Sequence, residues 1–133
     1  MISDSKSRKA QESGQSNHIE WLPKYLADIT RYKVEKPDEI RMLLEKVSEG
    51  DDSSREKLIN CNLYFAYCVA KRHQLEHPFV PLEDMIQEAN LALVESVNTY
   101  PDAPSSSFSC YLCKNINHAC EQVVKKLLRA TNN

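Results

Sequence analysis

Residues 82–99 read Leu82-Glu83-Asp84-Met85-Ile86-Gln87-Glu88-Ala89-Asn90-Leu91-Ala92-Leu93-Val94-Glu95-Ser96-Val97-Asn98-Thr99. Pro81 precedes the stretch, Pro101 follows it, and neither Gly nor Pro interrupts it. The pattern predicts one helix over Leu82 to Thr99. At about 100° per residue, Met85, Ile86, Ala89, Leu93 and Val97 share an arc of roughly 120°, which is a core face. The opposite side carries Asp84, Gln87, Glu88, Leu91 and Glu95, with Val94 at its edge. The simpler reading of that side is a solvated acidic face. Leu91 and Val94 interrupt the acids, however. Apolar contacts ringed by charge suit a helix–helix interface with a basic partner.

Working outward, four further helices are expected, giving an all-α, compact multi-helix domain of about five helices. One runs from Glu20 to Tyr32, with Trp21, Leu22, Tyr25, Leu26 and Ile29 on one side. The next opens at Pro37, a favoured first-turn residue, and stops at Gly50, a favoured terminating residue. Ser53-Ser54-Arg55-Glu56 matches a capping box and opens a helix that runs to His73. Leu58, Ile59, Leu63, Phe65, Ala66, Val69 and Ala70 cover most of its circumference, so it is expected to be the central helix. After Pro101, Pro104 and a run of serines, the last helix spans Ser107 to Arg129. Residues 1–18 are polar and read as a disordered tail, leaving 19–133 as the helical domain.

The chain has 133 residues, enough for one core, and two glycines, Gly14 and Gly50, a scarcity that long helices tolerate and sheets do not. The net charge of -2 argues against phosphate contacts as the main source of binding energy. The charge is uneven. From Phe108 onward the basic residues are Lys114, Lys125, Lys126 and Arg129 against one acid, Glu121. No apolar run approaches the roughly 20 residues of a membrane span. A cytoplasmic protein with no membrane contact is expected. The five cysteines read as thiols, not as disulfides.

With these elements in place, a family resemblance emerges. Leu82 to Leu91 resembles the "LEDLIQEGN" segment in region 2 of bacterial sigma-70 family sigma factors. Tyr25-Leu26-Ala27-Asp28-Ile29, Pro37-Asp38-Glu39-Ile40 and Glu49-Gly50-Asp51 resemble the family's region 1.2. Arg55-Glu56-Lys57-Leu58-Ile59, Asn62-Leu63 and Val69-Ala70-Lys71 resemble its region 2.1. Phe108-Ser109-Cys110-Tyr111 resembles the family's "FSTY". The motifs occur in the family's order from about Tyr25 to Val124. The resemblance implies a helical region 2 joined to region 1.2, and a partner: core RNA polymerase, whose β′ coiled coil meets the polar face of the 82–99 helix. By match to family positions, Asp84, Gln87, Glu88 and Asn90 are the contacts, joined by Leu91 and by Val94, which stands where the family usually has methionine. An anti-sigma protein is a further class of partner that the resemblance implies.

The same resemblance implies contact with minus-ten promoter DNA, and here the sequence departs from the family. Holding an unstacked base requires an aromatic stack. The family's adjacent tryptophan pair falls at Lys114 and Asn115, and its aromatic and basic residues before "FSTY" fall at Ser106 and Ser107. The positions that read the upstream edge of the element fall at His118 and Glu121. Phe108, Tyr111, Tyr100 and Asn62 are retained, the last matching a position near a captured base. Phe108 and Tyr100 also read well as core aromatics. Two lost stacks weaken single-strand capture by a factor on the order of 10². The candidate DNA set is Asn62, Phe108, Tyr111, Lys114, Asn115 and His118, a degraded melting face that holds promoter DNA weakly when alone.

Other chemistry finds little support. Cys110-x2-Cys113-x4-His118-x-Cys120 has the wrong spacing for a zinc knuckle and lacks its glycines. On a helix, His118 points away from Cys113 and Cys120. Buried thiols are expected there and at Cys61 and Cys68, one heptad apart. His73 and His77 are expected at the surface, and no nucleophile, base and orienting group form a set. Neither enzymatic activity nor a cofactor or metal is expected. Two functions remain: a sigma factor that directs polymerase to DNA, or a sigma-like regulator that binds polymerase without reading a promoter. The motif order favours the first. The lost tryptophans, and a sequence that stops at Asn133 without regions 3 and 4, favour the second.

Overall fold

The structure, a computed structural model, describes residues 20–132. The expected tail at 1–18 lies outside the described residues. Among these there are six helices and no strand: α1 (Leu22–Thr30), α2 (Pro37–Ser48), α3 (Asp52–Asn60), α4 (Leu63–Glu76), α5 (Leu82–Thr99) and α6 (Phe108–Asn132). The all-α expectation holds, with one more helix than the five anticipated.

The extra helix comes from a break in the expected 53–73 helix. In an unbroken helix the Asn62 N–H would bond to the Leu58 carbonyl. Instead the Asn62 side-chain Nδ2 takes that carbonyl at 2.8 Å, and Cys61 Sγ donates to it at 3.4 Å. The Asn62 N–H shifts to the Ile59 carbonyl at 3.1 Å, tightening the turn. Asn62 sits at φ -111°, ψ 4°, and α4 starts afresh behind it. The break changes the phase of the apolar pattern. Leu58, Ala66, Val69 and Ala70 are buried as expected, while Phe65 is 38% exposed.

The central helix is α5, which corrects the assignment of that role to the 53–73 segment. It packs along its length against α4 and α6 and also touches α3. Met85, Ile86, Ala89, Leu93 and Val97 are all buried, joined by Ala92 and Ser96. Leu58 of α3, Val80 of the α4–α5 connection, and Leu112, Ile116 and Cys120 of α6 complete the core around it. Small buried residues on α4 and α5 (Ala66, Ala70, Ala89) permit close approach of the two helix axes. Two hydrogen bonds, Asn115 Nδ2 to Ser96 Oγ at 3.0 Å and Thr99 Oγ1 with Tyr111 Oη at 2.8 Å, show α5 and α6 to be antiparallel.

Helix ends follow local chemistry. Gly50 at φ 91° ends α2 as expected, a conformation that a side chain would strain. The cap of α3 is Asp51, not the Ser53–Glu56 box: its carboxylate accepts from Ser53 N at 3.2 Å and Ser54 Oγ at 2.7 Å. At the head of α2, Glu39 accepts from Lys36 N at 3.0 Å. These hydrogen bonds, from Ser54 to Asp51 and from the Lys36 backbone to Glu39, hold both carboxyls below their ordinary range.

A pH test follows for Asp51. A depressed folded-state value means the cap stabilises above the unfolded aspartate range and ceases to do so as pH falls through the folded value. Asp51→Ala is expected to lower the thermal midpoint near neutrality. The gap to wild type should close on acidification, as read by circular dichroism melts across pH.

Candidate functional site

Because α5 is buried along one arc, its other arc is committed to solvent. Asp84, Gln87, Glu88 and Glu95 are exposed there. Between them stand Leu91, 59% exposed, and Val94, 36% exposed. Leu91 therefore lies in a ring of carboxylates one or two turns away in either direction. Glu83 and Asp84 occupy the first turn, where acids complement the helix dipole.

Asn90 departs from this group. It is turned toward α1, where its Nδ2 donates to Tyr25 Oη at 3.1 Å, and its Oδ1 is buried. Tyr25 in turn packs edge-on against Trp21, with ring centroids 5.9 Å apart. Asn90 holds α1 beside the α5 face, so five of the six expected docking residues share one outward surface and the sixth fastens its flank.

The expected DNA residues scatter. Phe108 is buried and packs at 5.2 Å against Tyr100, a core role. Tyr100 donates to the Ser106 carbonyl at 2.7 Å and stacks edge-on against Tyr111 at 5.2 Å. The Tyr111 hydroxyl is committed to Thr99. Asn115 points inward to Ser96, and Asn62 is spent on the α3–α4 break. Only Lys114 and His118 are exposed, on one stripe of α6 with Glu121, Lys125 and Arg129.

A polar tie between α4 and α6 was not foreseen. Asn117 Oδ1 accepts from Arg72 Nη2 and from His73 Nε2, the latter at 2.7 Å. Asn117 Nδ2 donates to the Cys113 carbonyl at 2.9 Å, which leaves Oδ1 as the acceptor and places the proton on His73 Nε2. His73 is buried, correcting its surface assignment. The signal available was its spacing, seven residues beyond Ala66 on the same helix side.

The cysteines also divide. Cys61 and Cys120 are buried, and burial raises both thiols, Cys120 to about 11, so both stay protonated at neutral pH. Cys68 and Cys110 are exposed, contrary to expectation. Cys120 faces the core while His118 faces solvent. Among the described residues no three His, Cys, Asp or Glu side chains converge to hold a metal ion. None of the described helices is long and apolar enough to cross a membrane.

Comparison with known proteins adds family evidence. Residues 58–130 match the family described as Sigma-70 region 2. The chain is 33% identical over 87 residues to RNA polymerase sigma factor SigA of Clostridium acetobutylicum, covering 65% of this chain and 22% of that protein. It is 33% identical over 85 residues to RNA polymerase sigma-G factor of Bacillus subtilis, covering 63% and 32%. It is 34% identical over 86 residues to RNA polymerase principal sigma factor HrdC of Streptomyces coelicolor, covering 65% and 24%. The matched part thus spans between a fifth and a third of each relative's length.

The α4–α6 tie is open to direct test. Asn117→Ala leaves the buried His73 donor without its acceptor, at a cost of about 1–3 kcal/mol. Arg72→Ala is expected to cost less, because the guanidinium is exposed and water replaces its partner. Urea denaturation of the two variants measures the difference.

Proposed function

The chain belongs to the sigma-70 family through its region 2, and from that premise we propose that it docks on core RNA polymerase with the outer face of α5. The observation that carries this reading is the surface formed by Asp84, Gln87, Glu88, Leu91 and Val94. It is exposed, acidic and centred on an apolar residue that the fold leaves uncovered. A basic helical partner complements it in charge, and the β′ coiled coil is the partner that the family resemblance implies. Leu91 supplies the apolar anchor, and the carboxylates steer and orient the encounter. Asn90 acts indirectly by holding α1 against the flank. The protein works by binding, with no catalytic step.

A second reading concerns the DNA side. Lys114 and Asn115 stand where the family resemblance places a stacking pair, and Asn115 is engaged with Ser96 in the interior. This favours a sigma-like regulator that binds polymerase without reading a promoter. The inward bond also means that a tryptophan at 115 would displace a satisfied polar contact, so the lost stack is not restored by simple substitution.

Glu88→Arg is expected to weaken binding to core polymerase by about 2 kcal/mol or more, as for an interface hot spot. Asp84→Arg with Glu88→Arg is expected to abolish capture in a pull-down and to leave helical circular dichroism unchanged. Wild-type-like capture by the double variant removes the reading. Adding a fork-junction promoter oligonucleotide separates the two functions: a promoter-directing factor retains it on polymerase, and a polymerase-only regulator does not.

A further inference from the structure

α6 outruns the helix beside it. The short connection 77–81 turns the chain back between α4 and α5, and α5 and α6 are antiparallel, so α4 and α6 run parallel. Arg72 and His73 sit level with Asn117, which puts Glu76, the last residue of α4, level with Cys120 and Glu121. Residues 122–132 continue past that point with no α4 alongside. Leu128 stands there 45% exposed. Lys125, one turn before it, and Arg129, next to it, are exposed as well. Residues 122–132 contain Lys125, Lys126 and Arg129 and no Asp or Glu.

This tail is the counterpart of the α5 face. α5 holds Glu83, Asp84, Glu88 and Glu95 and no Lys or Arg. Each surface is a helix with an exposed leucine between charges of one sign: Glu88, Leu91 and Glu95 on α5, and Lys125, Leu128 and Arg129 on α6. Opposite charges around apolar anchors attract at a distance and leave a dry centre on contact. None of Asp84, Glu88, Glu95, Lys125 and Arg129 forms an ion pair within the described residues. The two surfaces of one chain cannot meet, because their helices are packed side by side around a shared core. Two chains can bring them together. Ser96 lies against Asn115 and Thr99 against Tyr111, so the first turn of α5 is level with the stretch from Lys125 to Arg129. Both surfaces therefore lie toward the same end of the domain. A two-fold axis there seats each tail on the other chain's α5 and makes every contact twice.

We propose that this chain self-associates through a two-fold pairing in which Lys125, Leu128 and Arg129 of one copy dock on Asp84, Glu88, Leu91 and Glu95 of the other. The occupant is a second copy because the chain itself supplies the basic helix with an apolar anchor that the α5 face calls for. That the pairing covers the polymerase-docking face rests on the function proposed above; the pairing itself does not. Free protein at high concentration then holds its own docking face closed and releases it on dilution or to a tighter partner.

Sedimentation equilibrium of the full chain over roughly 1 μM to 1 mM tests this. The wild type is expected to pass from monomer to dimer, with the midpoint moving to higher concentration as salt is raised. Asp84→Arg with Glu88→Arg makes both surfaces basic, and Lys125→Glu with Arg129→Glu makes both acidic. Each variant alone is expected to lose on the order of 10² in dimer affinity. An equimolar mixture of the two should restore the dimer, because in the mixed pair each basic surface again faces an acidic one. Leu128→Ser, which alters no charge, should weaken the wild-type dimer about tenfold. All the substituted positions are exposed, and circular dichroism checks that the helices survive. A wild type that stays monomeric throughout the range overturns the proposal and leaves the tail to an acidic partner of another kind. A mixture that stays monomeric overturns it too, as does wild-type dimerisation by either charge variant alone. The mixing experiment contains no polymerase, so its failure is distinguishable from failure of the α5 docking reading. In a pull-down with core polymerase, the Lys125→Glu, Arg129→Glu variant is expected to be captured at least as well as wild type. Loss of its capture overturns the proposal, because the tail would then be a polymerase contact.

Discussion

The burial of α5 between α4 and α6 is the constraint on which the other features depend. Met85 and Leu93 are fully enclosed, and Ile86, Ala89, Ala92 and Val97 extend the same surface. Rotating the helix by one residue would drive Glu88 or Asn90 into that enclosure, and an unpaired buried carboxylate is prohibitive. The apolar arc therefore fixes the rotation of α5, and with it the orientation of the acidic side. The outward placement of Leu91 follows from how the rest of the helix is satisfied.

Polar contacts refine what apolar packing leaves loose. Ser96 is fully buried, donates to the Ala92 carbonyl at 2.7 Å and accepts from Asn115 at 3.0 Å. Asn117 performs the corresponding service between α6 and α4. A half-buried amide with one satisfied arrangement specifies register more sharply than leucine does, because slippage leaves a donor or acceptor unpaired. Asn115 and Asn117 together set the rotation of α6, so that Lys114, His118, Glu121 and Lys125 face solvent.

The result is a domain with its charges sorted by helix. Acids dominate the outer side of α5, while α4 carries Lys71 and Arg72 with exposed Tyr64 and Phe65, and the first half of α6 carries Lys114. A whole-chain charge of -2 conceals this sorting. This separation steers a basic partner to the α5 side and away from α4.

From residues alone, the α5 pattern was legible: its limits, its five core positions and its exposed acidic side all followed from helical periodicity, because a helix with a period of 3.6 sorts its own faces. The order of the other helices, the stop at Gly50 and the family resemblance were equally available from sequence. Tertiary structure decided what depends on contacts between distant residues. The Asn62 side chain competing for the Leu58 carbonyl split one expected helix into two and moved Phe65 to the surface. Tyr25, 65 positions away, engages Asn90 on the flank of α5, where the family match alone had made it an outward contact. His73 and Asn117 paired across 44 positions, and Asn115 turned inward to Ser96. Each of these side chains is polar, and a polar side chain takes its place from the partner it finds, which periodicity does not record.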